Sequence, residues 1–313
     1  MQSSAATVAV MKNDDRKFPL SQAESFILSS YFSAPLVAGS LAGCISSIVV
    51  SPLDVLKTRL QSSDLKLTGI TKTNRHYAIF TCLRNILQTE GVRGMFKGLL
   101  PTLSGIVPCR AIYFHFYANH KEMFSKLFNC EENRSHVHLC ASCTASLITT
   151  TAVTPLFFVR TRLQLIKGHK SDIINVIKCA FHEGGLRIFY RGIGASYFGA
   201  LEGMFFFVSY EKLKSKMDVS GNNDLYKISG SAVACKLLAS TMFYPHEVIR
   251  TRQRQPNMQQ VYSSVWQTCR TIVREEGIKA LYAGLKTSFI RQIPNVAVTM
   301  SVYEFFLAYL KNT

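Results

Sequence analysis

One phrase is written three times along this chain. Residues 51–61 read SPLDVLKTRLQ, residues 154–164 read TPLFFVRTRLQ, and residues 244–254 read YPHEVIRTRQR. The prolines, Pro52, Pro155 and Pro245, lie 103 and 90 residues apart. Each phrase ends an apolar run on a proline and then turns basic. After each comes a polar loop and a short amphipathic segment, such as YAIFTCLRNILQTEG, then a glycine-punctuated entry into another apolar run. Those entries read EGVRGMFKG at 90–98, EGGLRIFYRG at 183–192 and EGIKALYAG at 276–284. The unit is therefore span, surface helix, span. Repetition at a fixed period marks units that cannot bury their faces alone and must assemble pseudo-symmetrically.

The apolar runs decide the medium. Residues 135–159 hold 25 positions without Asp, Glu, Lys or Arg, and residues 33–53 hold 21. Crossing hydrocarbon takes roughly 20 apolar residues. Four further stretches, 97–120, 191–211, 226–247 and 284–304, are interrupted by a charge or end in charges. The expected fold is an all-α membrane protein with six transmembrane helices in three pseudo-symmetric repeats. Residues 1–32 are expected to form a flexible N-terminal leader, because they lack the charged start and apolar core of a secretory signal. The repeats are expected over 33–127, 133–218 and 225–311, forming one unit.

Charge and cysteine narrow the function. The 313 residues carry 36 Lys and Arg against 19 Asp and Glu, a net +17, although 48% of them are apolar. Such a balance favours an anionic partner. Long charge-free stretches exclude a soluble nucleic-acid binder. The nine cysteines show neither the paired spacing of a zinc site nor a disulfide framework, so no metal and no cofactor is expected. No phosphate-binding loop or nucleophile triad is present, which argues against an ATP-driven pump or another enzyme.

The recurring phrase has a geometric reading. A proline removes a backbone donor and bends a helix, so three of them at one level tip three helices toward a common axis. Asp54 and Lys57 are three residues apart and share a face, as do Glu247 and Arg250. Inward-tipped helices then bring the acid of one repeat against the base of the next, closing one end of a central cavity. Helix-terminal charges at a lipid interface would explain one copy, but not three in register.

These residues resemble the mitochondrial carrier family, whose signature is Px[DE]xx[KR]x[KR] followed by [DE]Gxxxx[WYF][KR]G in three copies. The resemblance covers nearly all of residues 33–311. It implies an inner mitochondrial membrane protein with a short matrix-side helix in each repeat. Six helices would surround a substrate cavity whose matrix and cytoplasmic gates open in alternation. The second copy departs from the pattern: Phe157 stands where the acid belongs, leaving Arg160. Cyclic pairing then predicts Asp54 with Arg160 and Glu247 with Lys57, while Arg250 lacks an acid. Gln61 and Gln164 are expected to brace neighbouring pairs; their third equivalent is Arg254. The cytoplasmic gate implied by the resemblance pairs Lys121 with Glu211 and Lys214 with Glu304. Its third pair is missing at both members, Ala118 and Leu307.

A charged side chain at membrane depth faces a cavity or a partner. Lys236 stands eleven residues before Glu247 and shares its face, roughly 16 Å along the helix. Two roles remain open for it: substrate anchor or structural ion-pair partner. Arg291 and Arg110 are the other candidate anchors. The resemblance places Arg291, seven residues after Gly284, at the substrate level of the third repeat, with Gly105 and Gly199 as its equivalents. Gly199 and Ala200 resemble the glycine-plus-aliphatic pair of nucleotide-transporting members and imply a slot for a base or sugar. Glu202 is read either as a cavity group or as the partner of an internal arginine.

Three cations imply an anionic substrate, because arginine binds phosphate in a bidentate fork and lysine as a point charge. VLKTRLQSS, CRAIYFHFYANHKE, GASYFG, YPHEVIRTR and IRQIPN resemble the pyrimidine nucleotide carriers. The expected function is exchange of pyrimidine nucleoside phosphates. Folate, FAD or NAD transport on the same scaffold, and a non-transporting basic membrane scaffold, are the alternatives. A functional monomer in contact with membrane lipid, cardiolipin included, completes the expectation.

Overall fold

The computed structural model describes residues 20–64, 78–129, 134–166, 172–216, 224–258 and 260–312. Six long helices dominate: α1 (Leu20–Gln61), α3 (Leu99–Phe128), α4 (Ser135–Leu165), α6 (Ile193–Lys216), α7 (Asp224–Gln253) and α9 (Leu285–Asn312). Between the members of each pair lies a short helix: α2 (Ala78–Glu90), α5 (Ile173–Gly184) and α8 (Val265–Glu276). Each short helix is followed by a 3₁₀ turn, over Val92–Phe96, Gly185–Tyr190 and Ile278–Tyr282. No strand occurs among the described residues. Helix α1 starts at Leu20, inside the segment expected as a leader; residues 1–19 lie outside the described residues.

The long helices close a ring. Helix α1 packs on α3, α3 on α4, α4 on α6, α6 on α7, α7 on α9, and α9 returns to α1. The broadest contacts are α3 with α4, α6 with α7 and α9 with α1, all between repeats. Each repeat thus leans on its neighbours more than on itself, as a unit with no core of its own must.

Among the described residues, two helices are long and apolar enough by composition to cross a membrane, over Gly39–Gln61 and His136–Leu165. The other four long helices are long enough but carry the charges already noted, including Arg110, Lys236 and Arg291, which lower their hydropathy. Leu41, Ile48, Val49, Leu238, Met242, Ile293 and Val296 are exposed. An apolar exterior on a charged interior suits a protein whose outer solvent is lipid.

Three small cores repeat below the ring. Val55 and Leu56 pack on Cys82 and Ile86 of α2. Phe158, Val159 and Leu163 pack on Val176 and Ala180 of α5. Val248 and Ile249 pack with Tyr244, Tyr262 and Ile272 at α8. The short helices are amphipathic, and burying a residue such as Ile86 or Ile272 stabilises by about 1.5–3 kcal/mol each. Ser264 starts α8 by accepting a hydrogen bond from the Gln267 backbone N–H at 3.2 Å.

Glycine sets the close approach between repeats. Gly98, Gly192 and Gly284 have φ of 77°, 80° and 82°, a left-handed conformation that favours glycine. A Cβ on Gly98 would lie 3.0 Å from the carbonyl oxygen of Arg160. At Gly192 and Gly284 it would lie 3.3 Å from the carbonyls of Arg250 and Lys57. The last glycine of each entry motif therefore seats on the base of the next repeat's proline phrase.

Candidate functional site

The prolines sit inside their helices, and just beyond them α1, α4 and α7 meet. Arg160 Nη2 of α4 lies 2.5 Å from Asp54 Oδ2 of α1. Lys57 Nζ of α1 lies 2.5 Å from Glu247 Oε2 of α7. Around these pairs lies a cavity of about 340 Å³, lined also by Phe157, Thr149, Thr150, Val153 and Cys109. That size lies within the usual range of small-molecule sites. Five of its lining residues are basic, Lys57, Arg160, Arg250, Arg254 and Arg291, and two are acidic, Asp54 and Glu247.

The third pairing position is incomplete in the way the sequence predicts. Phe157 stands there, with the Arg160 guanidinium 5.9 Å from its ring centroid. Arg250 lines the cavity and forms no ion pair among the described residues. Arg254 is buried beside it and donates to the carbonyl of Phe157 at 3.3 Å and to Thr161 Oγ1 at 3.4 Å. It also reaches the Arg191 carbonyl and Ser196 Oγ, each at 3.4 Å. Every acceptor it finds is neutral, and every contact is long for an N–H···O bond.

The glutamines differ from expectation. Neither binds the charged atoms of a pair; both take hydroxyls of a neighbouring repeat instead. Thr58 Oγ1 donates to Gln164 Oε1 at 2.7 Å, and Thr251 Oγ1 donates to Gln61 Oε1 at 2.8 Å. Gln61 Nε2 also donates to Tyr244 Oη at 3.0 Å. The carboxylates are already occupied by lysine and arginine, which outcompete an amide. With Arg254 on Thr161, three threonines in matching positions link the repeats in a ring. The signal was present in the sequence, since each phrase carries Thr between its two basic positions.

A second set of pairs sits behind the first. Arg59 Nη2 lies 2.7 Å from Glu90 Oε2, and Lys97 Nζ 2.8 Å from the same oxygen. Arg162 grips Glu183 with two bonds of 2.9 and 2.8 Å. Arg252 grips Glu276 with bonds of 2.6 and 2.7 Å. The base two residues after the pairing position of each proline phrase, Arg59, Arg162 or Arg252, is thus tied to the acid that opens the glycine motif of its own repeat. Sequence reasoning gave these six residues no role, although both members recur in every copy.

The expected anchors do not all converge. Arg291 lines the cavity, and its Nη1 lies 3.0 Å from Asp54 Oδ1. Its Nε is buried without a hydrogen-bond partner. Lys236 is absent from that lining; its Nζ lies 2.9 Å from Glu202 Oε1 and 5.7 Å from the Phe206 ring centroid. Ser240 Oγ donates to the same Glu202 oxygen at 2.8 Å. Glu202, read from the sequence either as a cavity group or as the partner of an internal arginine, here pairs with a lysine. Arg110 lies against Gly39 and Gly43 of α1, where a Cβ would come within 3.1 and 3.6 Å of its guanidinium. Gly105 is buried and faces Leu156 of α4, and Gly199 faces His246 of α7. Ala200 is half-buried outside the described cavity. A Cβ on Gly105 would meet Leu156 at 3.8 Å and one on Gly199 would meet His246 at 3.4 Å, ordinary contact distances, so neighbouring helices come near both glycines without crowding them.

At the other end of the ring, Lys121 is half-buried. The side chains of Glu211, Lys214 and Glu304, expected with it in a cytoplasmic gate, lie outside the described residues.

The comparisons agree with this geometry. Residues 29–128, 131–220 and 222–313 each match the family described as mitochondrial carrier protein. The chain is 37% identical over 306 residues to solute carrier family 25 member 36 of Mus musculus, covering 88% of this chain and 97% of that protein. It is 36% identical over 310 residues to solute carrier family 25 member 33 of Homo sapiens, with coverage of 88% and 95%. Against mitochondrial carrier protein rim2 of Schizosaccharomyces pombe it is 35% identical over 311 residues, with coverage of 88% and 89%.

Proposed function

Because the chain belongs to the mitochondrial carrier family, a family of multi-pass transporters of the inner mitochondrial membrane, we propose that it exchanges pyrimidine nucleotides between matrix and cytoplasm. The observation that carries this reading is the cavity beside the convergence of α1, α4 and α7, with five basic and two acidic lining residues. A substrate bearing several negative charges suits that excess. Arg291 is the anchor best supported, because it lines the cavity with a donor to spare. Lys236 and Arg110 serve as further anchors in this reading, with Gly199, Ala200 and Gly105 shaping the nucleoside slot.

Transport follows from the latch. Asp54–Arg160 and Lys57–Glu247 hold three helices of three repeats together at one end. Removing charges from water offsets most of their mutual attraction, so such a latch is specific in geometry without being strong. A substrate that binds the intermediate more tightly than either end state supplies the free energy to part it. Lys121, Glu211, Lys214 and Glu304 would act likewise at the cytoplasmic end. All three repeats lie in one chain, which supports a working monomer, and the net charge of +17 supports contact with an anionic lipid such as cardiolipin.

Liposomes holding the purified protein and loaded with UTP test the reading. Labelled external UTP is expected to exchange faster than folate, FAD or NAD. The reverse ranking would end the pyrimidine assignment, and vesicles that exchange no anionic metabolite would end the transport reading.

A further inference from the structure

Two complete ion pairs and one incomplete pair make the latch lopsided. At the incomplete position Phe157 supplies no charge, yet two guanidinium groups remain beside it. Arg250 lines the cavity without an ion pair among the described residues. Arg254 is 4% exposed and holds only neutral oxygens at 3.3–3.4 Å. A buried cation costs free energy unless a charged acceptor meets it. At the two matching positions the chain places neutral amides, Gln61 and Gln164. Here it places a third positive charge next to Arg160 and Arg250, so repulsion adds to the cost. A residue this unfavourable for packing is explained by an acceptor that arrives from outside.

We propose that the terminal phosphate of the transported nucleotide stands in for the missing carboxylate, seating between Arg250 and Arg254 beside Phe157. This rests on the reading of the protein as a nucleotide carrier and adds a second subsite to it. Base and sugar stay higher in the ring, while the phosphate tail runs to the floor. Arginine suits the end of the tail, because its fork matches two phosphate oxygens. The cavity floor then selects by phosphate number: a triphosphate reaches both guanidinium groups, whereas a monophosphate held higher up does not.

The subsite also couples binding to movement. Its parts come from α4, through Phe157 and Thr161, and from α7 and the turn that ends it, through Arg250 and Arg254. It exists only while those two helices are together. Parting them at the latch separates the two arginines from the wall that aims them, so the phosphate loses its seat as the exit opens. Differential affinity of this kind is the only means by which a ligand shifts a conformational equilibrium.

Competition against labelled UTP uptake in liposomes, with UMP, UDP, UTP and inorganic phosphate as competitors, tests the subsite. The wild type is expected to prefer UTP to UMP by at least about tenfold, the effect of one charged hydrogen bond. Arg254→Gln restores the amide of the other repeats, and Phe157→Asp supplies the missing carboxylate. Each is expected to reduce that preference by about tenfold. Variants that keep the wild-type preference, or a wild type that takes UMP as well as UTP, would overturn the proposal. Inorganic phosphate competing as strongly as UTP would assign the seat to free phosphate and overturn it too. The melting temperature of detergent-solubilised protein with inorganic tripolyphosphate gives a readout free of the nucleotide assignment. A rise in the wild type that Arg254→Gln abolishes supports the subsite even if no nucleotide is exchanged, and an equal rise in both proteins sinks it.

Discussion

Arg291, on the last long helix, approaches Oδ1 of Asp54, on the first, to 3.0 Å, while Arg160 holds Oδ2 of the same carboxylate. One acid thus links three helices, and one of its two partners is Arg291, the residue proposed above as substrate anchor. A phosphate that draws Arg291 away removes half of the support on Asp54. Under the proposed function, substrate capture and latch release would then share a side chain.

The two ion pairs should respond differently to charge reversal. Among the described residues Lys57 pairs with no acid but Glu247, so Lys57→Glu with Glu247→Lys rebuilds a pair. Asp54→Arg with Arg160→Asp also rebuilds one, but sets the new arginine against Arg291. Each single reversal is expected to lower UTP uptake by at least about tenfold, since breaking a buried pair costs about 3–5 kcal/mol. The Lys57–Glu247 double variant should regain most of the loss and the Asp54–Arg160 double only part of it. Equal recovery would show that Arg291 does not act through Asp54.

Lys236 has two readings that variants separate. As a substrate anchor, Lys236→Ala loses about 1.5–3 kcal/mol of charge-assisted binding, which is about tenfold to a hundredfold in uptake at low UTP. As a structural partner of Glu202 it acts only by neutralising that acid. Glu202→Gln leaves the lysine in place and frees its charge, so under the anchor reading it should transport far better than Lys236→Ala. Matching losses in the two variants, with protein still in the membrane, would assign Lys236 to structure.

Much of this was legible in the sequence, and what was not has physical causes. The threefold proline phrase carries the ring, and the gap at Phe157 is visible as a missing letter. The pair of Arg291 with Asp54 is not, because Pro294 disturbs the helical phase and the two lie at opposite ends of the chain. The partners of Gln61 and Gln164 escaped for a different reason. Spacing places a side chain on a face, yet the choice between an ion pair and a threonine depends on distances of about an ångström. Arg110 shows the same limit: its place beside Pro108 does not reveal that its guanidinium lies against Gly39 and Gly43 of α1. The hydropathy of the remaining spans is masked by the very charges that line the interior.

The three acids of the glycine motifs offer a graded stability series. Side-chain exposure is 1% at Glu90, 23% at Glu183 and 36% at Glu276, and each meets the equivalent arginine. Removing the acid strands a buried guanidinium, at about 3–5 kcal/mol where water cannot enter and less where it can. Glu90→Gln should therefore lower the melting temperature in detergent most, Glu183→Gln less, and Glu276→Gln least. A flat or reversed order would show that solvent access does not set the cost of these pairs.

Glu90 also makes that cost depend on pH. Burial alone would push its carboxyl upward, but hydrogen bonds from Arg59 and Lys97, helped by their charges, more than offset this and hold it below the ordinary value of 4.5. A carboxyl depressed on folding stabilises fully above its unfolded value and loses that contribution as pH falls through the folded one. At neutral pH the wild type should melt well above Glu90→Gln. The gap should narrow as pH falls below that ordinary 4.5 and through the lower folded value, because a protonated Glu90 accepts from Arg59 no better than the amide does. A gap that stays constant down to the acid limit of folding would mean that the carboxylate charge contributes nothing, and that packing around Cys82 and Ile86 alone anchors this end of the first repeat.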